Sequence, residues 1–289
     1  MALKKKDFIF KLPSGRNLGY SEFGDSQGKP LLYFHGWPTS RLQAQYYDNL
    51  ARKLRIRLIA IDRPGYGLSS FQKKRTLLDW PDDVLSLTSK LKIKKFSIIG
   101  VSGGGPYAAV CAYKIPQHLK KVAIVVGLAP TYIKGILDDT PFLSKLGWAN
   151  YAQIPVLRKL AALLHFVNAK YGPAFGLHRF LFGAKSDQKI LASAKLRKLQ
   201  RTAYKEAFRT GYKGVEQDLQ LYTQYWGFNL KNITAKVLLF YGAADKNLSL
   251  KMGQYYAAEI PHSQLIVYPN EGHLVSWTHA EEILESLIR

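Results

Sequence analysis

The sequence predicts an α/β fold, with a mainly parallel sheet covered by helices on both faces and a helical block inserted late in the chain. Three observations predict it. Short, nearly continuous apolar runs alternate with segments of helical periodicity; the alternation pauses from Thr131 to about Asn229; and it resumes with two further strand–helix units. Strands that are apolar throughout are buried on both faces, which is the condition of parallel strands flanked by helices.

In order along the chain, Asp7–Leu12 and Leu18–Phe23 predict two short strands about the turn Pro13-Ser14-Gly15. Pro30–His35 is an apolar run stopped at Gly36, so it reads as a buried strand, and Leu42–Leu54 reads as a helix. Leu58–Asp62 is the next strand, closed by Arg63-Pro64-Gly65-Tyr66-Gly67. Trp80, Val84, Leu87 and Leu91 recur at helical spacing. Phe96–Val101 predicts a strand followed by a glycine run and a helix to about Lys114, and Val122–Val126 another strand. Within the pause, 155–167, 187–209 and 214–225 read as helices. Strands are then expected at Val237–Tyr241 and Gln264–Tyr268, with helices at Leu248–Glu259 and from Thr278 onward. The division that follows is a core of 1–130 and 230–289 with a helical lid at 131–229.

The chain has 289 residues, 47% of them apolar and 21% charged, which is an ordinary globular composition rather than a disordered one. No apolar run is long enough to span a membrane, and Phe8-Ile9-Phe10 is too short for a secretory signal. The lone Cys111 excludes an internal disulfide and a cysteine-rich zinc site. The expectation is a cytoplasmic protein, monomer or homodimer. The formal charge is +22, and it is spread out: 22 basic against 8 acidic residues in 1–130, 17 against 6 in 131–236, and 3 against 6 in 237–289. An anionic membrane surface or nucleic acid could answer such a charge, but no nucleic-acid motif accompanies it, and no nucleic-acid partner is expected.

The sharpest chemical signal is Gly100-Val101-Ser102-Gly103-Gly104 at a strand-to-helix junction. G-x-S-x-G there describes a nucleophile elbow, a turn so tight that Gly100 and Gly104 must lack side chains while Ser102 projects at the sheet edge. The overlapping Gly103-Gly104-Gly105-Pro106-Tyr107-Ala108 also fits a dinucleotide fingerprint. That motif needs an acidic residue about 20 positions on, and none occurs between Asp83 and Asp138. A serine hydroxyl needs a base, and the base an orienting acid. Strand Leu238–Gly242 runs into a loop ending at Asp245, and Tyr268-Pro269-Asn270-Glu271-Gly272 leads to His273. The order Ser102, Asp245, His273 is the one this elbow architecture uses, and all three follow strand C-termini. The loop His35-Gly36-Trp37-Pro38 can aim the Trp37 amide at the same point as the Gly103 amide, making an oxyanion hole. His35 is expected to be a structural histidine, and Asp62 to bond local backbone.

Together with Asp62-Arg63-Pro64-Gly65-Tyr66-Gly67 and Tyr241-Gly242-Ala243-Ala244-Asp245, these motifs resemble the α/β-hydrolase superfamily over residues from about 17 to 289. The resemblance implies an eight-stranded, mostly parallel sheet with a helical cap inserted after the sixth strand, no cofactor or metal, and a serine acyl-enzyme mechanism. His35-Gly36-Trp37-Pro38-Thr39-Ser40 is similar to epoxide hydrolases, which carry aspartate at the elbow. Ser102 in its place favours carboxylic ester hydrolysis. Lys246-Asn247 follows Asp245 where relatives often carry a valine-proline or isoleucine-proline pair.

The expected activity is hydrolysis of a small-molecule ester of short to medium acyl chain. A lysophospholipase-like lipid esterase, an amidase and a non-catalytic ligand receptor remain alternatives. Val101, Phe166, Trp226 and Leu274 are the expected substrate-pocket residues, with Trp226-Gly227-Phe228 at the pocket floor where the chain returns from lid to core. The apolar stretch Ile154–Val167, with Tyr171, Phe175, Phe180, Leu181 and Phe182, reads either as a roof for acyl chains or as the lid's packing face. Lys189, Lys195, Arg197, Lys198, Arg201, Lys205 and Arg209 form either a solvated face or a contact for an anionic membrane.

Overall fold

The computed structural model describes residues 6–140, 145, 148, 153–172 and 183–289. Eight strands form one sheet: β1 (Lys6–Lys11), β2 (Asn17–Gly24), β3 (Lys29–Phe34), β4 (Ile56–Ile61), β5 (Phe96–Val101), β6 (Leu119–Val125), β7 (Val237–Gly242) and β8 (Ser263–Tyr268). Their order is β1-β2-β4-β3-β5-β6-β7-β8. β2 pairs antiparallel with β1 and β4, and every other pairing is parallel.

Successive side chains in a strand point to opposite faces, and the core divides accordingly. Leu32, Phe34, Ile59, Ile61, Ile98 and Leu239 point to one face. There they meet α2 (Trp80–Lys90), α3 (Gly105–Lys114) and α8 (Leu250–Glu259). Leu31, Tyr33, Leu58, Ala60, Ile99 and Val125 point to the other, against α1 (Asp48–Lys53) and the C-terminal α9 (Val275–Thr278) and α10 (Ala280–Ile288). Each fully buried Leu, Ile or Phe contributes about 1.5–3 kcal/mol of transfer free energy, so the two apolar layers fix the register of the whole sheet.

Between β6 and β7 the described residues form no strand; beside the helical Lys145 and Trp148 and the 3₁₀ turn Leu230–Asn232 they form α4 (Pro155–Tyr171), α5 (Lys185–Leu191), α6 (Ala194–Ala207) and α7 (Lys213–Tyr222). The expected 187–209 helix is therefore two, with Ser193 capping the second by accepting the Leu196 amide. The expected Leu42–Leu54 helix starts as a 3₁₀ segment, Arg41–Tyr47, where the Arg41 amide is drawn to Asp62. The closing helix breaks at His279. Phe175, Phe180, Leu181 and Phe182 lie outside the described residues.

After β3 the chain goes first to β4 on one side and then crosses to β5 on the other, which leaves a crevice at the strand C-termini where the order reverses. His35-Gly36-Trp37 and Ser102 leave the sheet at this crevice.

Candidate active site

The turn after β5 is as tight as its glycines require. A Cβ on Gly100 would sit 2.5 Å from the Gly104 carbonyl oxygen, and one on Gly104 would sit 2.2 Å from that of Phe34. Ser102 itself takes φ = 53°, a left-handed conformation that costs a residue with a side chain on the order of 1–2 kcal/mol. That strain is held by packing: Ser102 is buried, and its carbonyl accepts the Leu128 amide at 3.1 Å.

The loops after β7 and β8 bring the other two residues to it. His273 Nε2 lies 3.0 Å from Ser102 Oγ, and Nδ1 lies 2.7 Å from Asp245 Oδ2. The carboxylate can only accept, so Nδ1 carries the proton and Nε2 is free to accept the serine hydroxyl. Asp245 Oδ1 accepts the amides of Asn247 (2.7 Å) and Leu248 (3.1 Å), which fixes the carboxylate's orientation. The Asn247 side-chain amide is also 3.3 Å from His273 Nε2. Lys246-Asn247, the departure from the valine-proline pattern, thus leaves the aspartate seated and adds a donor beside the imidazole.

The amides of Trp37 and Gly103 flank the serine: a Cβ on Gly103 would lie 3.0 Å from Trp37 N, and one on Gly36 would lie 3.4 Å from Ser102 Cβ. In a trans peptide the N–H points opposite to its C=O, so whatever grips the carbonyl aims the amide. Gly36 O accepts from Thr39 N (3.1 Å), Thr39 Oγ1 (3.0 Å) and His35 Nδ1 (2.9 Å), which turns the Trp37 N–H the other way. The Leu128 bond to Ser102 O does the same for Gly103. Burial, with the Arg63 guanidinium beside it, pushes the His35 imidazole well below its ordinary range. Neutral, it donates to Gly36 O and accepts the Arg63 amide at 3.3 Å, as a structural histidine should. Asp62 accepts the amides of Arg41 and Leu68 and pairs with the Arg41 guanidinium.

Two supports come from the insertion and were not read from the sequence. Asp187, on α5, accepts the amides of His273 (3.0 Å) and Leu274 (2.8 Å), while Ser186 accepts that of Gly272. Asp218, on α7, is fully buried and accepts from Arg63, Arg75, Tyr66 and Tyr107. Burial alone would raise its carboxyl, but Arg63, Arg75 and the tyrosine hydroxyls outweigh that and hold it well below the usual carboxylate range. One turn on, Tyr222 donates to Gly103 O at 2.8 Å, so α7 also touches the elbow. The available signal for Asp218 was a carboxylate on the face of α7 that otherwise carries Val215, Leu219 and Tyr222.

Asp187 gives a direct test. Asp187→Ala strips two buried amides of their acceptor, and at about 1–3 kcal/mol per orphaned group the loss of unfolding free energy is expected to be about 2–6 kcal/mol. Urea unfolding measures it; an unchanged midpoint would mean that the two amides find other acceptors.

Of the expected pocket residues, Val101 and Leu274 line the recess at Ser102, with Gly36, Trp37, Gln43 and Gln200 among the rest of its wall. Phe166 and Trp226 do not line it. Phe166 packs on Phe208 and Tyr212 between inserted helices, and Trp226 is buried with Phe228 and Tyr256 on the α8 side of the sheet. The large apolar residues of α4 are not a packing face; Leu157, Leu160 and Leu164 instead line an open groove with His165 and Asn168. Val156, Leu160, Leu164 and Tyr171 are exposed, and the helix buries Ala162 and Ala169 instead. Lys189, Lys195, Arg197, Lys198, Lys205 and Arg209 face outward.

The family model for the alpha/beta hydrolase fold matches residues 29–280. The chain belongs to the α/β-hydrolase family. This hydrolase is 24% identical to an uncharacterised hydrolase of Saccharomyces cerevisiae, over 96% of this chain and 94% of the yeast protein. It is 23% identical to a bifunctional esterase/perhydrolase of Acinetobacter calcoaceticus over 95% of each. Among solved structures, an esterase from Exiguobacterium antarcticum superposes with a TM-score of 0.68 at 20% identity, covering 97% of each chain. No helix among the hydrolase's described residues is long and apolar enough to cross a membrane. Nor do three or more of its described His, Cys, Asp or Glu side chains cluster as metal ligands would.

Proposed function

We propose that this hydrolase cleaves carboxylic esters of small to medium acyl chain through an acyl-enzyme on Ser102. The observation that carries the reading is the continuous hydrogen-bonded chain Ser102–His273–Asp245 at the C-terminal edge of the sheet. His273 Nε2 takes the hydroxyl proton as Ser102 Oγ bonds to the ester carbonyl carbon, and Asp245 stabilises the imidazolium so formed. The carbonyl oxygen becomes an oxyanion between the Trp37 and Gly103 amides, each such donor being worth about 3 kcal/mol of barrier. His273 then passes its proton to the departing alkoxide, leaving the acyl group on Ser102. Water gives a proton to the same nitrogen as it attacks the acyl carbon, and its return to Ser102 Oγ releases the acid. Every step uses this chain's own groups and water. In this reading the inserted helices at 131–229 are a cap over the 1–130 and 230–289 core, supporting the histidine loop through Asp187.

The test pairs turnover with labelling. Hydrolysis of p-nitrophenyl esters from acetate to palmitate is expected, with the optimum at the short end, and a fluorophosphonate should label the peptide containing Ser102. A chain inert across the series and unlabelled would refute the ester-hydrolase reading, and turnover confined to the longest chains would favour a lipid esterase.

A further inference from the structure

The recess against Ser102 has a cavity volume of about 30 Å³, and beside His273 its lining holds no acidic or basic side chain. That is room for roughly two water-sized groups. Its wall is mixed: Gln43, Gln200 and Thr39 share it with Val101, Ala203 and Leu274.

The orientation of Gln43 is fixed. Its Oε1 accepts the Gly36 amide at 2.9 Å, a donor that cannot be exchanged, and this leaves Nε2, with both its protons, on the other side of the amide. Among the described residues Nε2 donates to no protein group. Gln200 comes from α6 and is only 5% exposed. Its amide likewise makes no hydrogen bond among the described residues, although it lines the recess. The helix that carries it is held in place one turn on, where Ser40 Oγ donates to Ala203 O at 2.8 Å. Two carboxamides, offering donors and an acceptor, are therefore held at a small uncharged space beside the nucleophile.

We infer that this recess is a polar acyl subsite, selecting esters whose acyl group carries an uncharged hydroxyl or keto oxygen within two or three bonds of the scissile carbonyl. The inference rests on the ester-hydrolase reading above and narrows its substrate class. The wall of the recess includes Gly36, Trp37, Val101 and Ser102 together with His273 and Leu274, and the placement on the acyl side is read by ester pairs that share one alcohol and differ only in the acyl group. A hydroxyl or ketone of the right reach satisfies the waiting amides. A methyl group of the same size fills the volume and leaves them unpaired, and sites built to hydrogen-bond a substrate oxygen reject such isosteres strongly. A carboxylate would find no cationic side chain in the recess to balance it.

Two isosteric pairs test this by pH-stat: methyl 3-hydroxybutanoate against methyl 3-methylbutanoate, and methyl lactate against methyl isobutyrate. In at least one pair the hydroxyl member is expected to lead in kcat/KM by about tenfold or more. Gln200→Leu should bring that ratio close to one, and Gln200→Ala should do the same with a bulkier branched acyl now accepted. The rate of fluorophosphonate labelling checks that both variants are folded. A wild-type ratio at or below one in both pairs, or an equal loss of both members in Gln200→Leu, overturns the subsite. If Ser102 labels and the alkyl esters turn over without discrimination, the subsite alone fails. If nothing labels or turns over, the ester-hydrolase reading fails and the subsite goes with it.

Discussion

Ser102→Ala is expected to lower kcat for p-nitrophenyl acetate by about 10⁵–10⁶-fold with no loss of folded stability. His273→Ala should cost nearly as much, and the double variant no more than either. Each member of a hydrogen-bonded triad is useless without the others, and such knockouts are grossly non-additive. A residual rate above that of water, about 10³-fold, is expected to survive from the oxyanion amides. The stability control discriminates too. Alanine keeps the side chain that makes φ = 53° unfavourable, so its urea midpoint should match the wild type. Ser102→Gly relieves that conformation and should be more stable by about 1 kcal/mol. Multiplying losses in the double variant would show that Ser102 and His273 act separately, contrary to their 3.0 Å contact.

Asp218→Ala has the largest expected effect on stability. The guanidinium groups of Arg63 and Arg75 are both buried against this carboxylate, with side-chain exposures of 0% and 2%. Removing one partner of a buried ion pair typically costs about 3–5 kcal/mol, because the remaining charge stays buried without compensation. Two arginines share this one, so the loss is expected at or above the top of that range, read as a fall in the urea midpoint. Asp218→Asn keeps the shape and one acceptor, and any difference between the two variants separates packing from charge. The linkage sign is that of a carboxyl lowered by folding. Its contribution is full above the unfolded carboxylate pKa and is lost only as pH falls through the much lower folded value. Neutral and mildly acidic solution should therefore give the same loss. Because Arg63 also donates to the carbonyls of His35 and Gly36, a folded remnant of either variant should lose kcat more than KM.

The fold and the meeting of Ser102, Asp245 and His273 were legible because each position is signalled locally. Phe96–Val101 is a strand by its unbroken apolar run, Gly100 and Gly104 bracket a turn that excludes side chains, and Asp245 and His273 follow strand ends. Asp187 and Asp218 were not legible. Their partners lie 86 and 155 positions away in the chain, and nothing in a single sequence says which buried cation or amide a carboxylate will find. Periodicity likewise gave the α4 helix but not its orientation. An apolar stripe predicts a buried one, yet the alanines of α4 turn inward. Trp226 and Phe166 went astray for a related reason: an aromatic near the mouth of a site in sequence is as readily used to pack the elements that hold the site.

The placement of Asp187 and Asp218 bears on how such chains can be recombined. The inserted helices could be treated as a cassette, exchanged between relatives to change what the core accepts. Here the cassette carries the acceptor for the His273 and Leu274 amides and the counter-ion of Arg63 and Arg75. A chimera joined at the ends of β6 and β7 would therefore inherit an unmatched histidine loop and two stranded guanidinium groups unless the donor helices bring carboxylates to the same two places. Compatibility between insertion and core is thus written in paired polar groups as well as in apolar surface, these two aspartates and Glu206 against the buried Arg41 among them.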